Sequence, residues 1–356
     1  MIKIAESSFG KSEFIDYMLF LFRVTSEPVY PSTIQIPTSM FREYIEILYT
    51  RSGQQIPEMV VSNNISMINI EDNPSRVVLA FSGGKDSSSH AAFLKDMGMN
   101  PDLFFVKNLN KSYPNELSAA RDVAKILNCK LVEDSIGYSG KFAYAESPVK
   151  NHLILAMMIE YMRQNNLTRC ACGTYIEDNL SSTPTQFGLS DAYELYRAFE
   201  MGVKSFFPNF KWMCWFNSEY QAMSYLVRTH PEVIPYYQSC ILPDRYRPSV
   251  KRANEKKFGI SIMQNRCLSC WKCAQEYLIL SSLGYLDKPS DELYGHLKDV
   301  LKRNLAKVLS EERFNEIDYE HESVIDLLGY YINSEDYEKY NSLDHILDYI
   351  DMKCFD

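Results

Sequence analysis

The 356-residue chain lacks any run of about 18 consecutive apolar residues, the length a helix needs to cross a bilayer. Its first residues, MIKIAESSFGKSEF, lack the apolar core of a secretory signal. These absences set the expectation of a cytoplasmic protein with no membrane partner. Positive charge is in deficit: 37 Lys and Arg stand against 46 Asp and Glu, for a net charge of -9. A dedicated nucleic-acid binder carries a basic excess, so nucleic acid is disfavoured as a partner. KRANEKK (251–257) is a local basic patch within this balance. No internal repeat or low-complexity tract stands out. A cytoplasmic setting also argues against disulfides, so the nine cysteines are read as free, metal-bound or catalytic.

What is present is ample apolar material. Hydrophobic residues make up 46% of the chain, enough for a packed core and too much for a disordered one. The length suits two domains, or one with additions. Residues 1 to 75 interrupt short apolar runs with polar stretches, and FREYIEILYTR from Phe41 has helical spacing. They read as a small N-terminal module. From Arg76 the pattern turns regular. Strand-like runs RVVLAF (76–81), DLFFVK (102–107), KLVED (130–134) and RCACGT (169–174) alternate with helix-like stretches at about 86–97, 114–128 and 148–165. Such alternation predicts βαβ units and a parallel sheet covered on both faces. Helical patterns then dominate, at 190–202, 218–230 and beyond Cys273, and the tail 286–356 reads as a helical extension. DRYRPSVKRANEKK (244–257) is so polar that it reads as a surface loop.

Two local features carry chemistry. The first follows the RVVLAF strand: Ser82-Gly83-Gly84-Lys85-Asp86-Ser87, then a helix. Glycines let backbone turn sharply and approach a ligand. The amides of the helix start are unpaired and partly positive, which suits phosphate. The Walker A pattern fails here, because Asp follows the lysine and no glycine lies five residues before Gly84. The dinucleotide pattern G-x-G-x-x-G fails as well. The second feature is Cys267-Leu-Ser-Cys270-Trp-Lys-Cys273. Three thiolates at this spacing can wrap one tetrahedral metal, with Cys240, separated from Cys267 by 26 residues, as the best fourth ligand. A structural zinc is the leading reading. An iron–sulfur cluster and unligated core cysteines are the alternatives. Cys129, Cys170 and Cys172 read as core packing; Tyr138, Trp212 and Trp215 read first as packing or surface aromatics, with stacking on a purine-like ring as the alternative.

SGGKDS (82–87) resembles the pyrophosphate loop of the N-type ATP pyrophosphatases, adenylating enzymes on a Rossmann-like (HUP-type) parallel sheet with helices on both faces. The resemblance covers about residues 76–285, and with the cysteines it narrows to the 7-cyano-7-deazaguanine synthase family. It implies that Ser82, Gly83, Gly84, Lys85, Asp86 and Ser87 hold the pyrophosphate of ATP with Mg²⁺, and that Lys85 and Asp86 act in catalysis. Cys240, Cys267, Cys270 and Cys273 match the family's zinc ligands in order. Two departures stand: the gap after Cys240 is longer than in the family, and Leu268 replaces the family's glycine. ESPVKNHLILAMMIEYM (146–162) resembles the family's P-G-R-N segment, with Lys150 at the arginine position and Asn151 beside it. Gly173 and the acidic Glu177 or Asp178 match a glycine and carboxylate at a later strand end. SSTPTQFGLSDAY (181–193) replaces the family's substrate-pocket segment. The implied reaction is adenylation of 7-carboxy-7-deazaguanine, then amide and nitrile formation with ammonia, or ligation to another amine. A homodimer stays open. The other readings are a tRNA thiolase-like enzyme, a PAPS reductase-like enzyme and a nucleotide-binding module of a larger assembly.

Overall fold

The structure is a computed structural model that describes residues 13–26, 31–51, 55–62, 65–107, 113–135, 150–173, 193–213, 219–242 and 245–308. The N-terminal segment contributes α1 (Glu13–Ser26), β1 (Thr33–Ile36), α2 (Arg42–Arg51) and β2 (Glu58–Val61). Strands β1 and β2 form a small parallel pair. The helix expected from Phe41 is α2.

The main sheet begins with β3 (Arg76–Ala80) and adds β4 (Asn100–Lys107), β5 (Lys130–Ser135), β6 (Arg169–Ala171) and β7 (Lys211–Met213). Its order is β5-β4-β3-β6-β7, and every pair is parallel. The helices on the crossovers are α3 (Lys85–Asp96), α4 (Tyr113–Ile126), α5 (Lys150–Asn165) and α6 (Tyr193–Lys204). The chain builds outward from β3 to β5, then returns to place β6 on the other side of β3. That reversal is the switch point where open α/β sheets bind ligands, beyond the carboxyl ends of the strands. The sheet is thus the parallel, Rossmann-like one that the sequence predicts.

Strand alternation assigns the two faces. Val77, Leu79, Phe81, Leu103 and Phe105 join a core that includes residues of α3 and α4. Val78, Phe104, Val132 and Cys170 face the other way, into a core with α5 and α6. Phe14, Phe41 and Tyr44 of the N-terminal segment belong to this second core, and α1 packs on α5. Strand β6 is shorter than the 169–174 run, and β7 has no counterpart in the sequence reading.

The sheet's amino ends are tied by charge. The Asp72 carboxylate accepts hydrogen bonds from Thr168 Oγ1 at 2.6 Å, from Arg169 Nε at 3.1 Å and from Lys211 Nζ. The Arg169 hydrogen bond leads in holding its pKa far below the usual carboxylate range. Asp102 accepts from Arg76 and Tyr161, each at 2.8 Å. These polar ties lie at the end of the sheet opposite the glycine turn.

The C-terminal part is helical: α7 (Glu219–Thr229), α8 (Arg247–Phe258), α9 (Trp271–Ser282) and α10 (Asp291–Val308). Helix α8 corrects the expectation of a surface loop at 244–257. Its ends carry helix signals, with Pro248 in the first turn, Lys256 and Lys257 in the last, and Gly259 just beyond. Residues 309–356 lie outside the described residues. No helix among the described residues is long and apolar enough to cross a membrane.

Candidate functional site

The turn from β3 into α3 sits at the switch point. Gly83 has φ +70°, and a Cβ there would lie 2.5 Å from Ala120 N and 2.8 Å from Glu116 O of α4. Only glycine fits this close approach. Gly84 occupies the N-cap of α3 in extended conformation, and no side chain caps the helix. The Gly84 N–H donates to Ser82 Oγ at 3.2 Å. Ser87 Oγ accepts from Ser82 N and donates to Gly84 O, both at 3.3 Å. The two serines therefore hold the turn's shape. Lys85 is buried and its Nζ pairs with Asp86 Oδ1 at 2.6 Å, so the lysine charge is matched at the helix start.

Gly173 follows β6 and closes on the same turn. A Cβ at Gly173 would meet Ser87 N at 2.7 Å and Asp86 C at 3.0 Å. The expected residues 82–87 and 173 are therefore together. Lys150 and Asn151 are the first two residues of α5. Glu177 and Asp178 lie outside the described residues, as do Tyr138 and Trp215. Trp212 is on β7, partly buried against the core. Cys170 and Cys172 are buried, and burial pushes the Cys170 thiol well up.

The cysteines form a second constellation. The Sγ atoms of Cys240, Cys267, Cys270 and Cys273 all lie within 4.8 Å of one another, and all four residues are buried. Two separations are given by Cys267–Cys273 at 3.8 Å and Cys240–Cys270 at 3.9 Å. Four sulfurs about 2.3 Å from one ion define a tetrahedron with edges of about 3.8 Å. The donor set therefore fits a single tetrahedral metal. A disulfide would need sulfurs about 2.05 Å apart. Backbone N–H groups of Cys267 and Ser269 reach Cys273 Sγ and Cys267 Sγ, each at 3.4 Å. Such donors favour thiolates. Hydrogen bonds from Cys240 hold both Cys270 and Cys267 below the ordinary thiol range.

Leu268 adopts φ +58°, the left-handed region in which a side chain is strained. Its side chain is nonetheless buried. Helix α8 fills the long gap after Cys240, and its Asn254 Nδ2 donates to Cys267 O at 2.6 Å and Ser269 Oγ at 2.9 Å.

Gln238 joins the two constellations, and the sequence reading missed it. Its backbone N–H donates to Gly83 O at 2.7 Å. Its side-chain Nε2 donates to Cys240 O at 2.6 Å, and its Oε1 accepts from Arg247 at 3.0 Å. One buried residue thus links the glycine turn to the cysteine site.

Fold and site define the class: a Rossmann-like α/β domain with a glycine turn at its switch point and a four-thiol site on its helical C-terminal part. No protein-family model and no curated protein matches the chain. Solved structures similar to it include three with the following likeness. One is a predicted subunit of tRNA methyltransferase from Methanocaldococcus jannaschii, with 20% identity, TM-score 0.30, and coverage of 52% of this chain and 89% of that one. Another is NMN synthetase from Francisella tularensis, with 12% identity, TM-score 0.32, and coverage of 76% and 95%. The third is NH3-dependent NAD synthetase from Campylobacter jejuni, with 13% identity, TM-score 0.29, and coverage of 75% and 94%.

Proposed function

We propose that the chain is an ATP-dependent adenylating enzyme that activates a carboxylate, in the manner of the N-type ATP pyrophosphatases. The observation that carries this reading is the Ser82–Ser87 turn, set at the switch point and packed by Gly173 and Gln238. An uncapped helix start, two ordering serines and a φ-positive glycine suit the oxygens of a leaving pyrophosphate. A substrate carboxylate oxygen attacks the α-phosphorus of ATP. The α–β phosphoanhydride bond breaks and pyrophosphate leaves. Asp86 of the turn is a candidate to hold Mg²⁺, which would neutralise that charge. Lys150 and Asn151, at the start of α5, are the candidates to face the carboxylate.

By its resemblance to 7-cyano-7-deazaguanine synthase, the acid is 7-carboxy-7-deazaguanine. Ammonia attacks the acyl adenylate, AMP leaves and an amide forms. A second ATP adenylates the amide oxygen, and loss of AMP and protons gives the nitrile. The four cysteines would hold zinc as a structural ion, stabilising the fold around Gln238. The segment SSTPTQFGLSDAY (181–193) departs from the family's pocket, so a variant that joins the same acid to another amine is the second reading.

The test is mass spectrometry of products from purified protein, ATP, Mg²⁺, ammonia and 7-carboxy-7-deazaguanine. A nitrile supports the synthase reading. An amide or amine conjugate supports the variant. Absence of AMP with this and other carboxylates rejects both.

A further inference from the structure

Gln238 is held from two sides. Upstream, Arg266 Nη1 donates to Tyr237 O at 2.8 Å, and the Tyr237 hydroxyl donates to Glu276 Oε1 at 2.5 Å. Arg266 and Glu276 pair at 2.5 Å and are only 2% and 1% exposed. This anchor uses no metal ligand. Downstream lies Cys240, one of the four clustered thiols. Gln238 Nε2 donates to Cys240 O at 2.6 Å, which closes residues 238–240 into a small ring of backbone and side chain. A shift of Cys240 therefore carries Gln238 with it, because the ring leaves little slack between them.

What Gln238 holds is a peptide plane. Its backbone N–H donates to Gly83 O at 2.7 Å. Its own carbonyl oxygen faces Gly84, 3.4 Å from where a Cβ on that residue would stand. A peptide is planar, so fixing the Gly83 carbonyl also fixes the Gly84 N–H on the opposite edge. Glycines flank this plane on both sides, and glycine accepts either sign of φ, so the plane can turn over at little steric cost. Turned over, it would aim the negative end of its dipole where the N–H now points, on a turn assigned to a polyanion. The plane is thus an element with two states, and both the nucleotide and the Cys240 side bias it towards the same one.

We propose that Gln238 is a positioning residue for the nucleotide. Its amide keeps the Gly83–Gly84 peptide in the phosphate-accepting orientation, and its side chain makes that hold depend on a metal at the four thiols. The proposal rests on reading the Ser82–Ser87 turn as the pyrophosphate site. Metal occupancy and nucleotide affinity are then coupled, and the coupling is reciprocal: each tightens the other by the same factor.

The test uses the full chain, zinc-loaded or stripped, and an ATP analogue with a methylene between its α and β phosphates, added with Mg²⁺. In calorimetric titration the loaded chain should bind the analogue at least about fivefold tighter than the stripped one. On the loaded chain, equilibrium competition with a zinc chelator should show zinc held tighter by the same factor when the analogue is present. That second measurement stands even if the stripped chain folds poorly. Gln238→Met should keep one zinc per chain while both factors fall towards one. Tyr161→Phe removes a hydrogen bond to Asp102 at the far end of the sheet. It should lower the melting temperature yet keep the coupling, which separates positioning from general loss of stability. A chain that takes up no zinc, equal zinc affinity with and without the analogue, or undiminished coupling in Gln238→Met overturns the proposal. No binding of the analogue to the loaded chain overturns the ATP reading, and this proposal with it.

Discussion

Replacing Gly173 by alanine adds one carbon where backbone already stands. The new Cβ would lie 2.7 Å from Ser87 N, 3.0 Å from Asp86 C and 3.1 Å from Ser87 Cα. Ordinary contact starts near 3.4 Å, so the first turn of α3 must retreat by ~0.7 Å. A backbone cannot swing aside as a side chain does. Overpacking of this kind costs about 1–3 kcal/mol. The displaced atoms are the helix-start groups assigned to the pyrophosphate, where a shift of order 1 Å can cost on the order of 100-fold in rate. Gly173→Ala should therefore lower AMP formation by about 30-fold or more, and weaken Mg·ATP binding in calorimetric titration, while the protein stays folded with a melting point a few degrees lower. Gly295→Ala is the control: nothing lies within 4 Å of its added Cβ, and α10 should become slightly more stable. A Gly173→Ala protein with wild-type ATP affinity and AMP formation would refute the placement of the phosphate against this turn.

Three further outcomes follow from the same coordinates. At Leu268, where φ is +58°, Leu268→Gly should be more stable than Leu268→Ala by about 1 kcal/mol in urea denaturation, although both lose the buried side chain. The opposite order would mean that the residue is not left-handed. Cys270→Ala should drop bound zinc from one ion per chain to none by elemental mass spectrometry and lower the melting temperature by well over 5 °C; retained metal would remove Cys270 from the ligand set. Glu133, bridged by Arg121 Nε and Nη2 at 2.7 and 2.9 Å and by Lys107 Nζ at 2.8 Å, has its pKa pulled from 4.5 to about 2, chiefly by the Arg121 hydrogen bonds. Its folded pKa is depressed, so its stabilisation is present above pH 4.5 and is lost as pH falls towards 2. Glu133→Gln should flatten that acid limb in thermal melts, and an unchanged limb would show that the bridge is not formed.

The glycine turn was legible because its chemistry is local: a strand, two glycines and small polar residues sit within one short stretch. The cysteines were legible because three thiols fall within one helical turn and its approach. Helix α8 was not. Asn254 is its buried residue, so no apolar stripe marks it, and its signals sit only at the ends. Strand β7 is three residues long, too short for an alternating pattern. The four-residue strands β1 and β2 hid in the same way. Gln238 could not be read, since its role lies in contacts with Gly83 and Cys240 that only the fold creates. Arg266 and Glu276 are ten residues apart, a spacing that suggests no pairing by itself. Lys85 is the first residue of α3, and its pairing with Asp86 is a contact of adjacent residues that the sequence pattern alone does not show.

The central claim is that ATP is cut between its α and β phosphates at the Ser82–Ser87 turn. The most direct measurement is the fate of ATP labelled at the α and γ phosphates, incubated with the protein, Mg²⁺ and 7-carboxy-7-deazaguanine. The account predicts α label in AMP and γ label in pyrophosphate, in equal amounts and dependent on the acid. Label appearing in ADP and inorganic phosphate would contradict it.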